Sequence, residues 1–236
     1  MALQRLARRS IVDETTDALL AQILHGHWAP GTKVPTEASL TADLGVSRST
    51  VREALNRLAS AGLLHIPHGG SKVVQDPRVH GGLDLLASMV VSPEGVLDLT
   101  VVRDVAEMRG ALAPDVARRA AQRGEGRHLL ALAEALDPEA ELGTLMEDTV
   151  AWWGELVAQC DNVAYRLAFN TLLGTYTEGR VVLQQVLADE LRATDAYVAI
   201  ARAVVDRDGA AAAVRTRDLV ALGNGSLFLA LDAHGG

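Results

Sequence analysis

Apolar residues recur at three- and four-residue steps through most of the 236-residue chain, and Gly and Pro punctuate the intervals between those stretches. That rhythm predicts helices. Ile11, Leu19, Leu20, Ile23 and Leu24 outline a first helix that stops at Gly26, with Trp28 packing just beyond it. Ala29-Pro30-Gly31 is a turn, Lys33 and Val34 form a short strand, and Thr36 caps a second helix that runs through Leu44. Gly45 and Val46 then turn the chain, because glycine tolerates the left-handed backbone that ends a helix, and Ser47 caps a third helix over residues 48–61. In the third helix Val51, Ala54, Leu55 and Leu58 make an apolar stripe, while Arg48 and Arg52 sit one turn apart on the other side. Residues 63–67 and 71–75 read as two strands around the turn at His68, Gly69 and Gly70.

Three helices closed by a hairpin make a winged helix-turn-helix over residues 1–76, with the third helix in the major groove and the hairpin tip beside the backbone or minor groove. Residues 77–82 are rich in turn formers and read as a linker. From 83 to 236 the pattern is helical throughout. Helices are expected at 83–90, 97–122, 126–136, 141–159, 164–173, 175–186, 189–206 and 210–222, with Pro114 kinking or interrupting the second of these. Several are too apolar for lone surface helices and must pack as a bundle, whose interior is a usual place for a ligand. The fold class is therefore mainly α: a winged helix-turn-helix followed by an all-helical bundle.

Charge sharpens the division. The whole chain carries a formal −8 with a pI near 5.3, yet residues 1–76 hold eight Lys and Arg against seven Asp and Glu, and the rest hold fourteen against twenty-three. Only the first part approaches phosphates without strong repulsion, so DNA binding rests on a local basic face and is salt-sensitive. Aromatics are 3% of the chain, in keeping with small aliphatic helices. The single cysteine, Cys160, allows no intramolecular disulfide and reads as a buried apolar side chain. The sequence shows no signal peptide and no membrane-length apolar run, which points to a soluble, cytoplasmic protein. No phosphate-binding glycine loop, nucleophile elbow, metal-binding histidine pair or Cys-His constellation supports an enzyme.

Gly26-x-x-x-Pro30-Gly31-x-x-x-Pro35-x-Glu37, then residues 44–55 with Leu58, Gly62 and Leu63, resemble the DNA-binding domain of the GntR family of bacterial transcription regulators. The resemblance implies base or phosphate contacts from Arg48, Ser49, Thr50 and Arg52, and entry of the wing tip, His68 and Gly69, into the minor groove. It agrees with the chemistry of arginine forks on guanine edges and hydroxyls on phosphates. Glu53 reads as structural, orienting an arginine or a neighbouring element. Where many members carry an arginine in the second helix this chain has Ala38, which shifts recognition toward the third helix and the wing.

The pattern Val101-Val102-x-x-Val105-x-Glu107-x-Arg109-x-x-Leu112-x-Pro114, with Asp161-Asn162 and Ala203-Val204-x-x-Arg207-Asp208, resembles the FCD effector domain of the FadR-like subfamily. Such domains commonly hold a divalent metal with one aspartate and three histidines. Here Asp148 matches the aspartate, but Trp152, Tyr197 and Asp218 or Leu219 stand at the histidine positions. Indole cannot ligate a metal, so no cofactor is expected, an oxygen-only site of Asp148 and Asp218 being the remaining alternative. The expected effector pocket is lined by Asp148, Trp152 and Tyr197, with Arg103 or Arg109 facing an acid group, whereas Trp153 fills the core. The implied protein is a homodimeric, ligand-responsive repressor that binds a palindromic double-stranded DNA operator, its effector a small metabolite such as an organic acid. A regulator whose second domain is only a dimerisation scaffold is the alternative.

Overall fold

The computed structural model describes residues 10–67, 70–91 and 97–234, without the side chains of 177–179 and 234. The chain divides into two units, Met1–Glu94 and Gly95–Gly236.

The first unit begins with α1, Ile11–Leu24, whose start is closed reciprocally by Ser10 and Asp13: each backbone N–H donates to the other's side chain at 3.1 Å. Helix α2, Glu37–Leu44, is capped by Thr36, which accepts from Ser39 N at 3.2 Å. Gly45 follows at φ 66°, in the left-handed region the sequence assigned to it, and Ser47 caps α3, Arg48–Ser60. Strands β1, Leu64–His65, and β2, Val73–Val74, pair antiparallel with Leu64 opposite Val74. In place of the short strand expected at 33–34 there is an isolated bridge, Lys33 to Val73, and with Val34 N donating to Lys72 O at 2.9 Å it ties the wing to the segment before α2. The expected stripe is the core: Val51, Ala54, Leu55 and Leu58 are all at most 2% exposed and meet Leu19, Ile23 and Leu40. Burying each large aliphatic side chain contributes about 1.5–3 kcal/mol.

The expected linker is more structured than its turn residues suggest. Pro77–His80 forms α4, with Asp76 capping it through Arg78 N at 2.9 Å and Pro77 in the first turn, where a missing N–H costs nothing. A 3-10 turn, Leu83–Leu85, and α5, Leu86–Val90, continue the first unit, and Leu85 and Met89 pack on its core. The division thus falls after Glu94, not at 77–82.

The second unit contains α6 Leu99–Arg123, α7 Arg127–Glu134, α8 Leu142–Gln159, α9 Val163–Val186, α10 Ala188–Arg192, α11 Thr194–Val205 and α12 Gly209–His234. Its main core joins α6, α7, α8, α11 and α12 around Trp152, Leu156, Tyr197, Ile200 and Leu219. Cys160 is buried there as expected. Three boundaries differ from the sequence reading. Helix α9 runs through Gly174 unbroken, since one interior glycine costs only about 1 kcal/mol against the packing of a long helix. The stretch expected as one helix over 189–206 breaks at Ala193, where ψ reaches 50°. Helix α12 continues past Leu222 through Gly223, where a Cβ would overlap the carboxylate of Glu190. Helix α6 also continues through the buried Pro114.

Asp115 fastens α9 to α6. Its carboxylate accepts from Tyr165 Oη at 2.6 Å and Arg119 Nε at 2.7 Å, and from Arg118. The Tyr165 hydroxyl first, then the two guanidiniums, hold the Asp115 carboxyl well below the usual carboxylate range. This stabilisation is present above the unfolded carboxyl's pKa of about 4 and is lost as pH falls toward the lower folded value. Asp115→Asn is expected to lower Tm at pH 7 by a gap that narrows below about pH 4; a gap that is constant with pH would assign the effect to packing instead.

Candidate nucleic-acid interface and ligand cavities

Burying the apolar stripe of α3 leaves its other face outward. Arg48, Ser49 and Arg52 are exposed there, as the amphipathic pattern requires. Thr50 departs from the expected contact set: it is only 8% exposed, and its hydroxyl lies 2.8 Å from Ser47 Oγ, which also accepts from Thr50 N. Its hydroxyl is engaged in closing the first turn of α3. Ser49 Oγ lies 2.8 Å from the same Ser47 oxygen but stays accessible. The helix N-terminus, with its unpaired N–H groups, adds a further site of phosphate attraction. His68 and Gly69, expected at the wing tip, lie outside the described residues.

The sequence reading missed the residue that organises this face. Glu37, in the first turn of α2, accepts from Arg52 Nη2 at 3.1 Å through one oxygen and from Lys72 Nζ at 3.1 Å through the other. These hydrogen bonds, Arg52 first and Lys72 second, keep the carboxyl ionised to lower pH than usual. One carboxylate therefore holds a cation of the recognition helix and a cation of the wing in fixed relation. Glu53 acts as expected on Arg57, which also donates to Asp13 Oδ1 of α1 at 2.7 Å. Ala38 is exposed on α2 and offers only a methyl.

In the second unit the expected pocket residues separate. Asp148 is exposed, because the buried stripe of α8 passes through Leu145, Thr149, Trp152 and Leu156 and leaves it to one side. Trp152 is fully buried core, edge-on to Tyr197 with centroids 4.9 Å apart. Arg103 pairs with Asp232 and lies over the Phe228 ring. Asp218, the other residue of the oxygen-only alternative, is exposed. Among the described residues no three His, Cys, Asp or Glu are placed to hold a metal, and the positions the resemblance assigns to one do not fit it.

Arg109 and Tyr197 do reach cavities. One cavity places Arg109 among Leu112, Val116, Val157 and Phe169, with Tyr165 at its wall. A second is walled by Met146, Leu187 and Leu191, with Thr149, Tyr176, Glu190 and Tyr197 among its polar residues. Trp153, Phe169 and Leu172 wall both, and Trp153 also packs against the main core as expected, edge-on to Trp152. Arg109 pairs with Glu190. Burial works against the Arg109 charge and Glu190 more than restores it. Burial pushes the Glu190 carboxyl up, and Arg109 pulls against that rise. The sequence could not flag Glu190, which sits between Asp189 and Leu191 like any surface acid.

An exposed recognition helix, a hairpin wing and a carboxylate linking the two define a winged helix-turn-helix DNA-binding protein. Residues 11–74 match the family described as bacterial regulatory proteins, gntR family. The chain is 34% identical over 238 residues to the HTH-type transcriptional regulator Mce2R of Mycobacterium tuberculosis, covering 98% of this chain and 97% of that one. It is 29% identical to the fatty acid metabolism regulator protein of Yersinia enterocolitica, over 75% of this chain and 74% of that one. A solved structure described as Lar, which controls expression of the Listeria monocytogenes agr system, shares the fold with a TM-score of 0.61 at 14% identity, covering 95% of this chain and 99% of that chain. The chain belongs to the GntR family of transcription regulators. No helix among the described residues is long and apolar enough to cross a membrane.

Proposed function

We propose that the protein is a cytoplasmic, homodimeric repressor that reads a palindromic operator through Arg48, Ser49 and Arg52, and releases it when an organic acid enters the helical unit. The observation that carries the reading is the Glu37 clamp on Arg52 and Lys72, which sets recognition helix and wing as one surface. Homodimerisation is supported by apolar residues left in water: Val163 and Val181 of α9 are 75% and 74% exposed, five turns apart on one line, and Leu229 of α12 is 74% exposed. An organic acid suits Arg109 in an apolar cavity. The effector domain works without a metal, since its residues offer no nitrogen-rich site.

Native mass spectrometry of protein purified without chelator tests these features together. The expected spectrum is a metal-free dimer, and adding the effector acid weakens operator binding in a gel-shift titration. Stoichiometric zinc, nickel or manganese would overturn the metal-free reading. A ligand that binds without changing operator affinity would make the helical unit a scaffold.

A further inference from the structure

The Arg109–Glu190 pair stands between the two cavities: Arg109 faces the first, Glu190 faces the second, and the walls are otherwise mostly apolar. Its side chains are 11% and 3% exposed, so this is one buried positive charge matched by one buried negative charge. Arg109 is the sole cation lining either cavity among the described residues. Around Glu190, α6 presents Arg109, α9 presents Tyr176 and α11 presents Tyr197; Gly223 of α12 and Trp153 of α8 bring no charge. Both tyrosines are kept in their neutral form by burial. One polar atom here, Glu190 Oε2, is buried without a hydrogen-bond partner among the described residues. Buried polar atoms without partners are rare, and a bound molecule or a water that supplies the missing donor is one way they are satisfied.

We propose that these cavities receive an aliphatic monocarboxylic acid which binds together with one proton, the ligand's carboxyl taking Arg109 and the proton being held between that carboxyl and Glu190. The inference rests on the effector-cavity reading above and adds the charge balance. One guanidinium compensates one carboxylate, and a second buried carboxylate without a partner is strongly disfavoured. The complex therefore holds two carboxyls, one guanidinium and one proton, neutral like the free protein. The proton comes from solvent, no covalent bond other than O–H forms, and the two carboxyls titrate as a pair. Burial already favours the neutral form of Glu190, and turning Arg109 toward the ligand removes the interaction that opposes it. The apolar walls of Trp153, Phe169 and Leu172, common to both cavities, take the alkyl chain. Ligand entry thus dissolves the link between α6 and α10.

Calorimetric titration of the full-length protein with decanoate at pH 6, 7 and 8, in buffers of different ionisation heat and with 1-decanol as the uncharged control, tests this. The expected result is uptake of about one proton per ligand and binding that weakens about tenfold per pH unit. Decanoate binding with no proton uptake and no pH slope overturns the proposal. Binding of 1-decanol without decanoate overturns it too, while leaving the cavity reading intact; binding of neither removes the cavity reading itself. Glu190→Gln, checked for folding by circular dichroism, is expected to bind decanoate with a flat pH profile. A slope retained in that folded variant would contradict the role of Glu190.

Discussion

Glu190→Ala alone is expected to destabilise the protein by about 3–5 kcal/mol, because it leaves the buried Arg109 guanidinium charged and uncompensated, and Arg109→Met by less, because the buried Glu190 carboxyl then takes a proton. Both side chains are among the least exposed of the ionisable groups, and Gly223 of α12 is pressed against the Glu190 carboxylate, so neither can turn to water without moving a helix. The double variant Arg109→Met/Glu190→Leu, which removes both charges, is expected to lose much less than the sum of the singles. Urea unfolding of the three variants measures this. A Glu190→Ala variant within about 1 kcal/mol of the wild type would mean that the pair is open to water, and the cavity argument would lose its charge balance.

Arg48→Ala and Arg52→Ala are expected to weaken specific operator binding by about 1–3 kcal/mol each with unchanged unfolding. Both side chains project from the face of α3 opposite its buried stripe, so removing them touches no core. Arg52 is the more informative of the two, since Glu37 fixes its direction. Non-specific binding should fall less than specific binding, because base contacts carry the discrimination and phosphate contacts carry the bulk attraction. Gel-shift titrations at two salt concentrations separate the two terms.

The DNA-binding unit was legible because local signals there agree with tertiary packing. Gly45 and Ser47 announce a turn and a cap, Val51 to Leu58 announce the buried face, and the structure places each where those signals put it. Residues 77–82 were harder, since Asp76-Pro77 can open a turn or a helix. In the helical unit local signals fail for a physical reason. Periodicity tells which face of a helix is buried but not which polar residue on that face meets a partner from elsewhere in the chain. Arg109 and Glu190 are 81 positions apart, and Glu37 and Lys72 are 35 apart. The family resemblance drew the eye to Asp148 and Trp152, one exposed and one fully buried, whereas the polar centre of the cavities is Glu190.

The central claim, that α3 reads a specific DNA sequence, is tested most directly by selection of bound DNA from a random library, with wild type and the Arg48→Ala/Arg52→Ala variant side by side. The wild type is expected to enrich a two-fold symmetric sequence with half-sites about 34 Å apart, one DNA turn, and the variant to enrich none. Enrichment of the same sequence by both proteins would contradict the assignment of recognition to α3, and enrichment by neither would contradict sequence-specific binding itself.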